Sequence, residues 1–289
     1  MVQLIMTIGL PASGKTDWAH RQDGFVVLSS DDIRTEFGDV NDQKNNVKVF
    51  QVLHDRVKHH LLNGQSCIFD ATNLNCKKRR SFLREIGDID CEKIAVVFIA
   101  PLEILRERNE NRDRKVPGYV FANMIKNFQP PIYEEGWNSI RIIKYDGDFD
   151  DPLADVPDMD QENKHHSLTL LEHSERAERY IKYKYPDRED LAKAAYYHDN
   201  GKHWTKGFID SKGYPCNQAH FYGHDSYGAY MYLLNPGRNE DLRISALIAH
   251  HMRPYIWNEH PHVKEKDMQW MGEFGRDLEI LYEADVEAH

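Results

Sequence analysis

LIMTIGLPASGKTDWA, residues 4–19, decides how the first half of this chain is read. Ile5, Met6, Thr7 and Ile8 form the kind of apolar run that fills a buried strand. Gly9 to Thr16 then fits G-x(4)-G-K-S/T, the spacing of a phosphate-binding loop. Glycines let the backbone curl, so that successive N–H groups point inward at phosphate oxygens. The helix that follows adds the positive end of its dipole. Gly9, Ser13 and Gly14 read as the cradle. Lys15 reads as the cation for the β- and γ-phosphates, and Thr16 as the hydroxyl on Mg²⁺. The expected occupant is ATP or another NTP.

Four more apolar runs follow: FVVLSS (25–30), CIFDATN (67–73), KIAVVFIA (93–100) and SIRIIKY (139–145). Helical patterns separate them, among them a long polar one over about 43–62. Strands alternating with helices predict a mostly parallel sheet with flanking helices, its ligands at the strands' C-terminal ends. Asp31 therefore reads as a general base for a hydroxyl acceptor, since it lies just past a strand on the loop's side. Asp32 is the rival, or a helix cap. Asp70 is placed to hold Mg²⁺ or its waters. Residues 105–117, LRERNENRDRKVP, crowd Arg106, Arg108, Arg112, Arg114 and Lys115 together, as a lid over a migrating phosphoryl group requires. Arg108 and Arg112 are four apart and can share a helix face. Lys77 to Arg80 form a second basic cluster that can track an acceptor backbone.

The chain has 289 residues, 40% of them hydrophobic, and a net charge of −10. That length suggests two domains, and that charge argues against non-specific coating of nucleic acid. Cys67, Cys76, Cys91 and Cys216 show no C-x-x-C spacing, which suggests a reduced, cytoplasmic protein. No apolar run is long enough for a membrane span, and an N-terminus entering strand and loop at once leaves no room for a signal peptide. Asp146 to Glu162 holds eight acidic residues and no Lys or Arg, and reads as an extended linker. The expected division is 1–148, a linker 149–164, and 165–289.

After residue 164 the pattern turns entirely helical, and most of the sixteen histidines lie there. Leu191, Ala194, Ala195 and His198 are spaced i, i+3, i+4, i+7. Ile244, Leu247, Ile248 and His251 repeat that spacing, and so do Leu278, Leu281, Tyr282 and Asp285. His173 begins a similar stripe with Ala177, Tyr180 and Ile181. Several helices thus aim metal-capable groups inward from one end of an apolar face. Burying so many polar groups without a common partner is costly, and a metal ion is such a partner. Imidazole and carboxylate donors suit Mn²⁺, Fe²⁺, Ni²⁺, Co²⁺ or Zn²⁺ rather than Ca²⁺.

GLPASGKTDWA, SSDDIR, FDATNLN and ERNENRDRKVP, in that order, resemble the kinase domain of polynucleotide 5′-kinases, over about residues 1–145. The resemblance implies an α/β P-loop kinase domain. It makes Asp31 the base for a 5′-hydroxyl and Arg34 the grip on the phosphate next to it. Thr72 and Val116 fall at acceptor contacts, and Arg108 and Arg112 at the donor phosphates. Ala12 departs from a position where glycine is common. Residues 165–289 resemble the HD phosphohydrolases through YYHDNGK and the separated His and Asp residues. HFYGHDSYGAYMYLL is similar to HD domains attached to bacterial tRNA nucleotidyltransferases. This resemblance implies an all-α HD domain. His173, His198, Asp199 and Asp285 are then ligands of one ion, with His224 and either His250 or His251 for a second; helical phase favours His251. His250 and His220 are alternatives for substrate phosphate, and Lys202 a phosphate-binding lysine.

The joint expectation is an end-healing enzyme. One domain phosphorylates 5′-hydroxyl ends of RNA or DNA. The other removes 3′-phosphate, 2′-phosphate or 2′,3′-cyclic phosphate. A ligase acting downstream is the expected partner, and no membrane is involved. A kinase of nucleosides or small hydroxyl compounds joined to a nucleotide hydrolase also fits, as does an HD module that only binds.

Overall fold

In the computed structural model β1 (Gln3–Gly9) is buried from Leu4 onward. A strand covered on both faces has no polar side to show, which is why its sequence reads as an unbroken apolar run. The described residues are 1–38, 45–112, 114–154, 156–163, 168–235 and 242–289. They divide into two units, residues 1–121 with 131–147 and residues 122–130 with 148–289.

In the first unit β1 leads through the phosphate-binding loop to α1 (Lys15–His20), β2 (Val26–Ser29), α2 (Ser30–Glu36) and α3 (Asn46–Leu62). Then come β3 (Cys67–Asp70), α4 (Cys76–Glu85), β4 (Glu92–Ile99), α5 (Leu102–Glu110), α6 (Gly118–Ile125, of which residues 122–125 are counted with the second unit), a 3₁₀ turn at Tyr133–Glu135, and β5 (Ser139–Lys144). The strands lie in the order β2-β3-β1-β4-β5, and every pair is parallel. Ile5 pairs with Ile68 and Ile94, so one face gathers Ile5, Ile68, Ile94, Val96 and Phe98 over Ala19 of α1. On the other face Phe69 meets Phe82 of α4 at 5.1 Å and His54 of α3 at 5.7 Å between ring centroids. α3 buries Val49, Leu53, Val57 and Leu61, one residue per turn, and leaves its other faces polar. The expected start near 43 lies outside the described residues.

The basic cluster at 77–80 is only partly the open surface the sequence suggested: Lys77 and Lys78 are exposed, but Arg79 is not. Arg79 is 1% exposed and forms a two-pronged pair with the buried Glu135, at 2.8 and 2.5 Å. It also donates to the Asn73 carbonyl at 2.9 Å. Glu135 takes the Trp137 indole N–H at 3.2 Å as well. Arg79 therefore ties α4 to the turn before β5 and is not available to an acceptor.

The second unit is built from α7 (Leu170–Lys184), α8 (Glu189–Tyr197), α9 (Lys202–Thr205), α10 (His224–Leu234), α11 (Leu242–His250), α12 (Arg253–Glu259), α13 (Pro261–Met271) and α14 (Glu273–Glu287). The helical framework expected from the stripes is present. Between α9 and α10 it also carries a short antiparallel hairpin, β6 (Gly207–Ile209) with β7 (Pro215–His220). The sequence hid this hairpin because its strands are mostly exposed and lack a buried alternation. Thr169 and Glu172 close a reciprocal cap on α7. Gly201 and Gly228 bring the start of α9 onto α10: a Cβ on Gly201 would stand 1.8 Å from the His224 carbonyl oxygen. Only glycine permits that approach, and it sets the His198–Asp199 turn beside His224.

The acidic stretch is extended but tethered. Asp160 bridges Thr169, the Ala219 N–H donates to the Glu162 carbonyl at 3.0 Å, and Lys206 holds Glu162 at 2.7 Å. The expected boundary at 164/165 lies outside the described residues.

Replacing Arg79 by Met strands Glu135 as a buried, uncompensated charge. A loss of about 3–5 kcal/mol follows, a fall of roughly 2 M in the urea midpoint of the first unit. A shift below about 0.5 M shows that the pair contributes little.

Candidate functional site

The loop after β1 is held open by its neighbours. The Gly9 N–H donates to the Thr72 carbonyl at 3.0 Å, and a Cβ on Gly9 would stand 2.8 Å from the Phe98 carbonyl oxygen. Gly14 adopts φ 90° and Ala12 φ 63°, so the departure at position 12 puts a Cβ in the left-handed region. That conformation costs an L-residue about 1–2 kcal/mol. Lys15 is buried and donates to the Leu10 carbonyl at 2.6 Å and to Ser13 Oγ at 3.2 Å. Asp70, 3% exposed, accepts from Thr7 at 2.8 Å on one oxygen and from Thr16 at 2.7 Å on the other. It thus stands where a carboxylate can share a Mg²⁺ with the Thr16 hydroxyl.

Ser29 caps α2 by accepting the Asp31 N–H at 3.1 Å, so Asp32 is not the cap; it is exposed. Asp31 Oδ1 receives Arg114 Nη1 and lies 3.5 Å from Arg34 Nη1. Arg34 also donates to Asn46. The Arg108–Arg112 pairing on one helix face fails, because α5 ends at Glu110. Asn109 takes over there: its side chain accepts the Val116 N–H and donates to the Val116 carbonyl, both at 2.9 Å, holding Val116 against the end of α5. Arg108 stacks over the Tyr145 ring at 5.4 Å, whereas Arg112 lies near enough to Lys15 to act on its charge. Arg106 and Lys115 are solvated, in exposed pairs with Glu103 and Glu110. Thr72 and Val116 enter through their backbones. Burial, reinforced by Arg112 and opposed by Asp70 and Asp31, brings Lys15 down to about 8.

In the second unit the stripes deliver their polar ends to one place. His173 Nε2 lies 3.2 Å from His198 Nε2 and 3.1 Å from Asp285 Oδ1. His224 Nε2 lies 3.1 Å from His251 Nε2 and 3.1 Å from Asp199 Oδ1. Asp199 joins the two groups, its Oδ2 3.5 Å from His173 and 3.4 Å from His198. His250 packs edge-on against Phe274 instead, and His220 stacks on Tyr222. Lys202 is 4% exposed and lies 2.6 Å from Asp199 Oδ2 and 2.7 Å from the Gln161 carboxamide oxygen. Tyr255 anchors the other Asp285 oxygen at 2.9 Å. Tyr255, Gln161, Asn109 and Arg114 had no distinguishing signal in the sequence beyond, for Arg114, its place in a charged run.

Donor chemistry tests the fit of a metal. His198, His224 and His251 place Nδ1 2.7, 2.8 and 2.7 Å from the carbonyls of Ala195, Phe221 and Ile248. A carbonyl only accepts, so each Nδ1 carries the hydrogen and each neutral ring turns a lone pair inward at Nε2. Two such lone pairs 3.1 Å apart, as in His224 and His251, repel unless a cation lies between. Donors about 2.1 Å from one ion and at right angles stand about 3.0 Å apart. Without an ion a proton takes that place. Despite burial, Asp199 and Asp285 carry His198 up to about 10. Burial, with His224 and His198 beside it, presses His251 down to about 3 and keeps it neutral. Against burial, Lys202 and His198 hold Asp199 well below the usual carboxylate range. His173, His198, Asp199 and Asp285, with His224 and His251 on the other side of Asp199, fit divalent transition-metal binding.

Residues 4–131 match the AAA domain family and residues 164–288 the HD domain family. The chain therefore joins a P-loop kinase domain to an HD domain. Over 143 residues it is 29% identical to the L-seryl-tRNA(Sec) kinase of Methanococcus maripaludis, covering 47% of this chain and 56% of that one. It thus spans little more than half the length of that relative. A chain from the Pnkp1/Rnl/Hen1 RNA repair complex is similar with TM-score 0.40 and 20% identity, over 44% of this chain and 43% of that one. A sugar kinase from Janibacter sp. is similar with TM-score 0.39 and 16% identity, over 50% and 86%. Among the described residues no helix is long and apolar enough to cross a membrane.

Two measurements check these sites. Below pH 8 Lys15 is protonated in both states; from there up to its ordinary 10.5 only the unfolded chain keeps the proton, so stability rises with pH across that window. Relative to Lys15→Met, the rise is about 3 kcal/mol in urea titrations, and parallel curves refute it. For the cluster, Mn²⁺ loading followed by desalting and elemental analysis is expected to leave about two ions per chain. Asp199→Asn should retain none, and equal metal in both proteins defeats the assignment.

Proposed function

We propose that the chain heals nucleic-acid ends with two separate active sites. The first phosphorylates 5′-hydroxyl termini of RNA or DNA from ATP or another NTP. The second removes phosphate from the opposite terminus, as 3′-phosphate, 2′-phosphate or 2′,3′-cyclic phosphate. The observation that carries the reading is Asp31, a carboxylate held by Arg34 and Arg114 within the field of Lys15. A kinase whose acceptor is a hydroxyl beside a phosphate needs this combination of base and cations.

In the first site the loop N–H groups and Lys15 hold the donor phosphates. Asp70 and Thr16 hold Mg²⁺. The acceptor oxygen attacks the γ-phosphorus as the bond to the leaving diphosphate breaks, and its proton passes to Asp31. Both guanidinium contacts fall on Oδ1, which leaves Oδ2 to take that proton. Lys15 and Arg112 stabilise charge on the migrating group. In the second site bound divalent ions supply Lewis-acid polarisation and activation of water. Asp199 and the imidazoles hold them. Lys202, already charge-paired inside the cluster, neutralises the phosphate that enters beside Asp199.

The Methanococcus relative, named for L-seryl-tRNA(Sec), favours a second acceptor: a hydroxyl carried elsewhere on an RNA. Labelled-phosphate transfer from ATP to a 5′-hydroxyl oligonucleotide, against seryl-tRNA, separates the two.

Asp31→Ala is expected to lower transfer to the oligonucleotide by about 10²–10⁴-fold while leaving phosphate release intact. Asp199→Ala does the reverse. A folded variant that loses both activities refutes independent sites, and good nucleoside turnover with no oligonucleotide transfer refutes the acceptor.

A further inference from the structure

Gln161 belongs to the acidic stretch expected as a linker, yet it is 1% exposed and its carboxamide lies against the Lys202 ammonium, itself buried beside Asp199. An ammonium only donates and a carbonyl only accepts, which fixes the sense of the amide. Its Oε1 takes Lys202 Nζ at 2.7 Å, and its Nε2 donates to the Leu168 carbonyl at 3.2 Å. The backbone that presents this side chain is strained and firmly held. Glu162 adopts φ 45°, in the left-handed region that residues with a Cβ seldom enter. Lys206 donates to the Asp160 carbonyl and to the Glu162 carboxylate, both at 2.7 Å. The Glu162 carbonyl accepts the Ala219 N–H at 3.0 Å, and Asn163 donates to the Ala219 carbonyl at 2.7 Å. Strain of this kind persists where surrounding contacts over-determine it, and it collects at functional sites. Here those contacts deliver one neutral acceptor to one buried cation. The other anchor of Lys202, Asp199 Oδ2 at 2.6 Å, also faces His173 and His198. Its hold on the ammonium weakens where a divalent ion draws on the same oxygen. Gln161 gives Nζ an anchor outside that competition.

We propose that Gln161 is a positioning residue of the phosphohydrolase site: it aims the Lys202 ammonium at an entering phosphate, and the acidic stretch is thereby a working part of that site. The inference rests on the phosphohydrolase reading of the second unit. A carboxamide suits the task because its oxygen orients an ammonium without adding negative charge where an anion is to bind. Gln161 acts through Lys202, so its contribution vanishes when the lysine is removed.

The test follows phosphate release from a 3′-phosphorylated oligonucleotide by the full-length, Mn²⁺-loaded chain. Gln161→Leu, and Gln161→Met as a second variant of similar length, are expected to raise KM by roughly 10- to 100-fold, the value of a hydrogen bond to a charged group. The change falls on KM more than on kcat, because the phosphate is met by Lys202 before and during reaction. Added to Lys202→Met, Gln161→Leu should cost less than about twofold more. Losses that multiply in the double variant, or an unchanged KM in both single variants, overturn the positioning role. Elemental analysis should find about two ions per chain in the Gln161 variants. Loss of metal together with the rise in KM traces the effect to the cluster and overturns the assignment to Lys202. Failure of the unaltered chain to release phosphate from a 3′-phosphate, 2′-phosphate or 2′,3′-cyclic phosphate end overturns the phosphohydrolase reading, and the role of Gln161 with it.

Discussion

In each unit one buried carboxylate sends its two oxygens to partners on different elements. Asp70 accepts from Thr7 of β1 and from Thr16 of α1. Asp199 turns Oδ2 to His173 and His198 and Oδ1 to His224 and His251. An ionised carboxylate taken out of water is tolerated only when its lone pairs are met, and breaking such a group costs several kcal/mol. An exposed pair is worth about 1 kcal/mol or less. The buried carboxylates therefore fix which chain segments must arrive together. Asp70 sets the end of β3 against the phosphate-binding loop, and Asp199 sets the turn after α8 against α7, α10 and the end of α11.

The scaffolding that aims these groups is apolar and local, and so it was legible in the sequence. The stripes ending in His198, His251 and Asp285 are regular because each helix buries one face. The strands of the sheet read as runs because both faces are covered. His251 could be preferred to His250 on phase alone, since only one of two adjacent helical residues can share a given stripe, and the structure turns His251 to His224.

Other features depend on contacts between distant residues and carry no period. Arg79 stood in a run of four cations and read as surface, yet a carboxylate 56 residues away draws it into the interior. Arg114 stood in a similar run and is drawn to Asp31, two residues before the Val116 that Asn109 holds. Composition could not separate these two arginines from Arg106, which is solvated. The same holds for Gly201, whose need for glycine exists only because the α10 backbone lies against it. Ala12 differs: the motif flagged the position, and the φ of 63° supplies the physical reason glycine suits it.

Charge placement bears on how such an enzyme meets a polyanion. The chain carries −10 overall, while the kinase pocket holds four cations to two carboxylates. At physiological ionic strength fields fade over about 8 Å, so the acidic remainder does not cancel the pocket and the pocket does not attract from afar. A protein that tracks a long backbone spreads its lysines and arginines along a groove, and its affinity comes from many released counterions. Here Arg79 of one basic run is spent inside the fold on Glu135, and Arg114 of another is turned onto Asp31. Lys15, Arg34, Arg112 and Arg114 gather around Asp31 and Asp70. Such a cluster suits the proposed acceptor, a terminus that offers a hydroxyl and a few phosphates within one pocket. The end selectivity proposed for this chain therefore rests on the charge gathered at Asp31 and Asp70.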